Sequence, residues 1–217
     1  MKKIFLLLLM ILTVSGCGGE SQDKTSAEPE KKSVEKVPVE NSTADKKILV
    51  VYFSRTGEEY NVGKIKKGNT AIVAEYITQK TGADTFEIKT ATPYPDEYEA
   101  CTELAKKELE SNARPALAKN IDNLAQYDTI FLGYPIWWGK LPMVVYTFLE
   151  SNDFSGKTII PFCTHGGSGL AGTEREIADA CPNAEILSGL AVVGKSAQND
   201  FAAAQKDIDA WLKEFGY

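Results

Sequence analysis

From Lys47 onward the chain alternates between two periodicities, and this alternation decides what it can fold into. Runs of strand length recur at "KILVVYF", "DTFEIKT", "YDTIFLGYP", "KTIIPFCTH" and "AEILSGLAVVG". A run that is apolar almost throughout, such as the first, suits a strand buried on both faces of a parallel sheet. "DTFEIKT" instead alternates through Phe86 and Ile88, which predicts a short strand near a sheet edge. Between the runs the spacing is helical. Ile72, Val73, Tyr76 and Ile77 form one stripe of "NTAIVAEYITQKTG", and Gly82 is placed to end it. Helices are also predicted after the loop "PYPDEYE", in "LPMVVYTFLES" with Pro142 in its first turn, in "TEREIADACP" and in "DFAAAQKDIDAWLKEFG". Five strand-helix units in this order predict an α/β fold, a doubly wound parallel sheet with helices on both faces.

The first residues cannot belong to that fold. Lys2 and Lys3 precede an apolar run, Ile4 to Leu12, that is too short to span a bilayer, for which about 20 residues are needed. Such a run fits the apolar region of a secretory signal. The "VSGC" that follows resembles the lipobox of bacterial lipoproteins. The resemblance implies cleavage after residue 16, acylation of Cys17, and a lipid-anchored protein on the extracytoplasmic face of the cell membrane. Residues 17–46 are rich in Glu, Lys, Ser and Pro and contain no aromatic residue, a composition that buries too little apolar surface to fold. As a coil, a tether of this length spans on the order of 30 Å. Residues 47–217 are then a single domain with a real core.

Loss of residues 1–16 removes two lysines and no acid, which takes the net charge of −6 to about −8. This balance argues against nucleic acid as a partner and suits basic ones. Three cysteines, Cys101, Cys163 and Cys181, stay in the domain, so at least one is left out of any internal disulfide. Neither a C-x-x-C pair nor a His cluster marks a metal or dithiol site.

In a doubly wound sheet, ligands bind at the carboxyl ends of the strands. Three loops there carry unusual residues. The first runs "SRTG" to "GNT", with Glu58 to Lys67 between the two halves. Ser54, Thr56, Asn69 and Thr70 supply side-chain donors, and the amides at a helix start suit a phosphate without any lysine. Asn69 would also serve simply as a helix cap. Arg55 could add positive charge, whereas Lys64, Lys66 and Lys67 fit a solvated surface. The second loop is "GYPIWWGKLP". Trp137 and Trp138 are adjacent and cannot both point into one core, so at least one faces the ligand side, and Trp138 is the better placed because it is nearer the turn at Gly139. Pro135, Ile136 and Gly139 shape that loop. In the third, "CTHGGSGLAG", the backbone from Thr164 through His165, Gly166, Gly167, Ser168 and Gly169 can approach a ligand closely. Tyr94 and Tyr98 either overhang the site or anchor a long loop.

These loops together resemble the flavodoxin family, and the resemblance extends over essentially Lys47 to Tyr217. Flavodoxins carry a continuous S/T-x-T-G-N-T loop around the phosphate of FMN, and the halves "SRTG" and "GNT" match it on either side of the insertion. A surface insertion whose ends return to one place costs little, so the pocket should survive it. The resemblance implies strand order 2-1-3-4-5, FMN as cofactor, an aromatic residue of the second loop against the flavin ring, and the third loop around its pyrimidine side. It further implies an electron carrier with no catalytic residue of its own, exchanging electrons with a redox partner protein or a small-molecule acceptor. "YPIWWGKLP" also resembles the F-P-x-x-W loop of FMN-dependent NAD(P)H:quinone oxidoreductases, which keeps that activity open as an alternative. A flavodoxin-like scaffold without redox activity is a third possibility.

Overall fold

The computed structural model describes residues 47–217, which lie within one compact unit. The signal peptide expected over residues 1–16, the acylated Cys17 and the tether over 17–46 fall outside the described residues. Strand β1 (Ile48–Phe53) leads into a small hairpin, β2 (Gly57–Glu59) and β3 (Gly63–Ile65), and then into helix α1 (Asn69–Thr81). Next come β4 (Asp84–Ile88), α2 (Tyr98–Glu110), β5 (Thr129–Pro135), α3 (Met143–Glu150), β6 (Thr158–His165) and α4 (Thr173–Ala180). The chain closes with β7 (Glu185–Ile186), β8 (Leu190–Val193), α5 (Gly194–Asn199) and α6 (Phe201–Glu214).

The main sheet has the order β4-β1-β5-β6-β7, with β8 also on β6, and every pairing is parallel. This is the predicted 2-1-3-4-5 arrangement, with "DTFEIKT" at one edge. Residues alternate between the faces of the sheet, as a pleated strand requires. Leu49, Val51 and Phe53 of β1 join a core made with α3 and Ile177 of α4. Val50 lies in the opposite core with α1, α5 and α6. One wall of each core is thus written into a single strand.

The fifth strand departs from the expectation of one continuous run. β7 pairs with the start of β6, Ile186 opposite Ile159, while β8 resumes at Leu190 opposite Phe162. Leu187, Ser188 and Gly189 therefore stand against only Ile160 and Pro161. Pro161 has no N–H to give to a ladder, so the break falls where pairing would be weakest. The amide of Gly189 turns away to the Glu174 carboxylate, 2.7 Å distant. Helix α5, which follows at once, has no counterpart in the sequence reading.

The chain leaves β1 for β4 on one side and later returns to β5 on the other. The crossovers therefore diverge between β1 and β5 and open a crevice at their carboxyl ends. All three loops singled out above end at this crevice or beside it.

Candidate functional site

A cavity of about 580 Å³ lies at this edge, within the range of about 300–1,000 Å³ usual for ligand pockets. The second and third loops supply much of its lining: Pro135, Ile136, Trp137 and Trp138, then Thr164, His165, Gly166, Gly167 and Ser168. The first loop contributes Arg55 and Asn69. Ser54, Thr56, Thr70, Gly139 and Gly169 do not line the cavity, and the reasons differ.

The two halves of the first loop do meet. Gly68 packs so closely on the other half that a Cβ there would stand 2.1 Å from Ser54 Oγ and 2.3 Å from the Arg55 carbonyl oxygen. Two of their hydroxyls, however, make bonds within the protein. Ser54 Oγ accepts the Ala71 N–H at 3.1 Å and so caps α1 from outside the helix. Thr70 faces inward and bonds the Thr164 hydroxyl at 2.8 Å, fully buried. Thr56 is exposed and outside the cavity. Contrary to expectation, Thr56 and Thr70 therefore do not face the cavity, while Ser54, which only accepts here, keeps its own O–H as a donor. Asn69 does not cap its helix, whose N-cap is Gly68. Its Oδ1 is the one buried side-chain polar atom among the described residues that lacks a hydrogen-bond partner. Such an orphan needs an explanation. The same amide's Nδ2 is not among the buried unpaired atoms and is a donor suited to an anionic group.

Arg55 lines the cavity, but its guanidinium belongs to the wall. It donates to the carbonyls of Pro95 (3.2 Å), Glu58 (2.9 and 3.0 Å) and Asp96 (2.7 Å), and it pairs with Glu59 at 2.6 Å. Only 7% of its side chain is exposed. It therefore fastens the insertion to the 93–98 loop and is not free to greet a ligand. Burial raises the Glu59 carboxyl above its ordinary range, against the opposing pull of Arg55.

The tryptophan loop is a tight turn under strain. Trp137 and Lys140 exchange both backbone hydrogen bonds, at 3.1 and 2.9 Å. The two residues between them, Trp138 and Gly139, have φ of 53° and 73°. This left-handed pair marks a type I′ turn, which favours Asn-Gly. A bulky residue held there carries roughly 1–3 kcal/mol of strain, and such residues gather at functional sites. Trp138 is 55% exposed. Its indole N–H donates to the Thr102 carbonyl at 3.0 Å, with the Lys106 ammonium 5.5 Å from the ring. Trp137 instead packs edge-on against Phe53 and Tyr94, with ring centroids 5.3 and 4.9 Å away. Trp138 thus presents a fixed indole at the cavity, while Trp137 is mainly a packing residue.

The tyrosines divide in the same way. Tyr98 lines the cavity, whereas Tyr94 bonds Glu108 at 2.7 Å and anchors its loop. The three cysteines are buried free thiols. Burial pushes Cys101 and Cys181 up to about 11 and Cys163 to about 12, too high for a thiolate at neutral pH.

Sequence reading missed several lining residues: Glu59, Tyr60 and Asn61 in the insertion, Cys101, Thr102 and Ala105 on α2, and Val193, Gly194 and Lys195 where β8 passes into α5. A signal existed for two of these groups. Cys101 and Ala105 are small residues one helical turn apart, and Val193 ends another strand at the carboxyl edge. The insertion gave none, because nothing in "EEYNVGKIKK" says which way it folds.

His165 gives this site a pH dependence. Its Nδ1 accepts the Gly167 N–H at 2.9 Å, which fixes the neutral ring with its proton on Nε2. Burial lowers its pKa below 6.5. The folded state therefore binds fewer protons than the unfolded one, and stability rises with pH through this window. The contribution is complete above 6.5 and is lost as pH falls through the folded value. Thermal melting between pH 7.5 and 5.5 should fall more steeply for the wild type than for His165→Asn, which keeps an acceptor that does not titrate. Equal slopes would remove His165 from this role.

A family model described as Flavodoxin matches residues 47–212. A candidate flavoprotein from Bacteroides uniformis is 32% identical, covering 74% of this chain and 98% of its own, with a TM-score of 0.59. Another from Bacteroides eggerthii is 30% identical, covering 76% and 98%, with a TM-score of 0.61. A Lactobacillus acidophilus flavoprotein in complex with FMN shares the fold at 18% identity, covering 74% and 97%, with a TM-score of 0.54. No curated protein matches the chain.

Proposed function

Because the chain belongs to the flavodoxin family, we propose that it binds FMN in this cavity and serves as an electron carrier, anchored through Cys17 outside the cytoplasmic membrane. The observation that carries the FMN reading is the strained Trp138, held at the cavity in a turn that would rather contain asparagine. A fixed indole offers a flat apolar face to a flavin ring. The other residues fit the same ligand. Asn69, at the start of α1, lines the cavity, and its amide and the helix start suit an anionic phosphate. Gly166 and Gly167 bring bare backbone to the cavity beside His165, whose ring already takes the Gly167 N–H.

FMN, when bound, supplies the redox chemistry, taking up and releasing electrons. The chain's own residues bind and orient it. Trp138, its indole held by the Thr102 carbonyl, would stack on the ring, and the glycine backbone of the third loop would let the ring approach closely. Buried Glu59 and its Arg55 partner contribute no net charge while paired. None of these groups needs to act as an acid or base on a substrate. The acidic balance of the mature chain suits a basic redox partner, in an association that salt would weaken.

The test is made on the full-length protein. It should partition with membranes, and Cys17→Ser should release it to the soluble fraction. Dithionite should reduce the bound flavin at once, NADH and NADPH only slowly. Rapid, saturable NADPH oxidation with a quinone acceptor would replace the carrier reading with the NAD(P)H:quinone oxidoreductase one. An unchanged partition of Cys17→Ser would remove the anchor.

A further inference from the structure

The insertion between the two halves of the first loop is a built part of the cavity. Glu58 and Glu59 of β2 pair with Lys64 and Gly63 of β3, so the segment folds as a hairpin with Tyr60 near its tip. The hairpin is fastened on one side to the start of α2. The Glu58 N–H donates to the Asp96 carbonyl at 2.7 Å, and the Glu58 carboxylate accepts the Tyr98 N–H at 3.2 Å. No side chain of α2's own N-cap residue, Glu97, caps that helix, so the insertion does it instead. With the Arg55 clamp added, the hairpin and α2 form one wall.

Tyr60 extends from this wall to the third loop. A Cβ on Gly166 would stand 2.8 Å from Tyr60 Cδ1 and 3.2 Å from Cε1, so the ring rests directly on that glycine. Its other neighbour is Tyr98, with centroids 6.0 Å apart and planes inclined by 31°. Tyr60 is 54% exposed and still lines the cavity. A large, half-exposed aromatic ring in contact with a bare glycine is an unusual use of apolar surface. The third loop, from Thr164 to Gly169, contains no Phe, Tyr or Trp of its own.

We propose that Tyr60 is a ligand-holding residue: from the insertion it closes the cavity over the third loop and supplies an aromatic wall in addition to that of Trp138. The inference rests on the FMN reading and concerns which residues grip the ring. The insertion then does not spoil the phosphate loop but adds a strap to it. A bound flavin can leave only when Tyr60 moves off Gly166, and electron exchange is confined to the part of the ring that the strap leaves open.

Stopped-flow release of FMN and of riboflavin from the full chain in detergent tests this. Tyr60→Ala should release both ligands roughly tenfold faster, because aromatic contact acts on the ring and leaves the phosphate alone. The preference for FMN over riboflavin should therefore stay within about twofold of wild type. Tyr60→Phe should behave as the wild type, since ring carbons make the contact. Gly166→Ala leaves the tyrosine in place but forces its ring outward, and it should reproduce the fast release. If the wild type holds FMN while Tyr60→Ala and Gly166→Ala both release it at the wild-type rate, the strap is wrong and the FMN reading stands. If the wild type takes up no FMN, the FMN reading fails and the strap fails with it.

Discussion

Replacing Trp138 by asparagine is expected to leave the ligand-free protein at least as stable as the wild type while FMN affinity falls by an order of magnitude or more. Trp138 and Gly139 occupy the two left-handed positions of the turn. Asn-Gly is the pair such a turn favours, so the substitution relieves strain of about 1–3 kcal/mol. Against that stand the hydrogen bond to the Thr102 carbonyl and the Lys106 contact, both exposed and worth about 1 kcal/mol or less each. The ligand loses its indole wall, and stacking of a flat heterocycle on an aromatic side chain is worth roughly 1–3 kcal/mol. Opposite signs for stability and affinity are the signature of a residue retained for function. If Trp138→Asn melted several degrees lower and kept its FMN affinity, the indole would be a packing residue and the second loop would need another role.

Gly68→Ala is expected to be severely damaging although it adds a single methyl beside the site. The backbone at Gly68, φ −68° and ψ 152°, is one that alanine adopts freely, so the effect is purely steric. Its Cβ would meet the Arg55 carbonyl oxygen at 2.3 Å as well as Ser54 Oγ at 2.1 Å. A hydroxyl can rotate away, but a backbone carbonyl cannot. The halves of the first loop must therefore separate, and the cap that Ser54 gives to Ala71 goes with them. Overpacking of this kind costs about 1–3 kcal/mol, and loss of a cap adds about 1. For a domain of this size that is roughly a 10 °C drop in melting temperature. FMN binding should weaken in parallel, because Asn69 moves with the join. A variant melting within a degree of wild type would show that the halves are not locked together.

The order of strands and helices was legible because each long element keeps one period from end to end. "KILVVYF" and "NTAIVAEYITQKTG" could hardly be anything else. The fifth strand was read as continuous because its apolar residues are continuous; the interruption comes from Pro161 on the neighbouring strand, which no local pattern in "AEILSGLAVVG" reveals. In the site, the three loops were legible from their composition at strand ends, and the separate roles of the tryptophans from the impossibility of burying both. The fate of individual donors was not. Ser54, Thr70 and Arg55 are the residue types a phosphate needs, yet each is also what a fold needs to cap a helix, satisfy a buried threonine or clamp a loop, and here those uses prevail. The insertion was opaque for a related reason. Two strands of three residues carry no periodicity, and Tyr60 owes its place to Gly166, about a hundred residues away.

Whether this cavity is a flavin site is decided by titrating the purified protein, freed of any bound flavin, with FMN and following flavin fluorescence and absorbance. Saturation is expected at one FMN per chain, with fluorescence quenched by the indole of Trp138 and with riboflavin bound more weakly. Flavin emission that rises linearly through the titration, as though no protein were present, would contradict it.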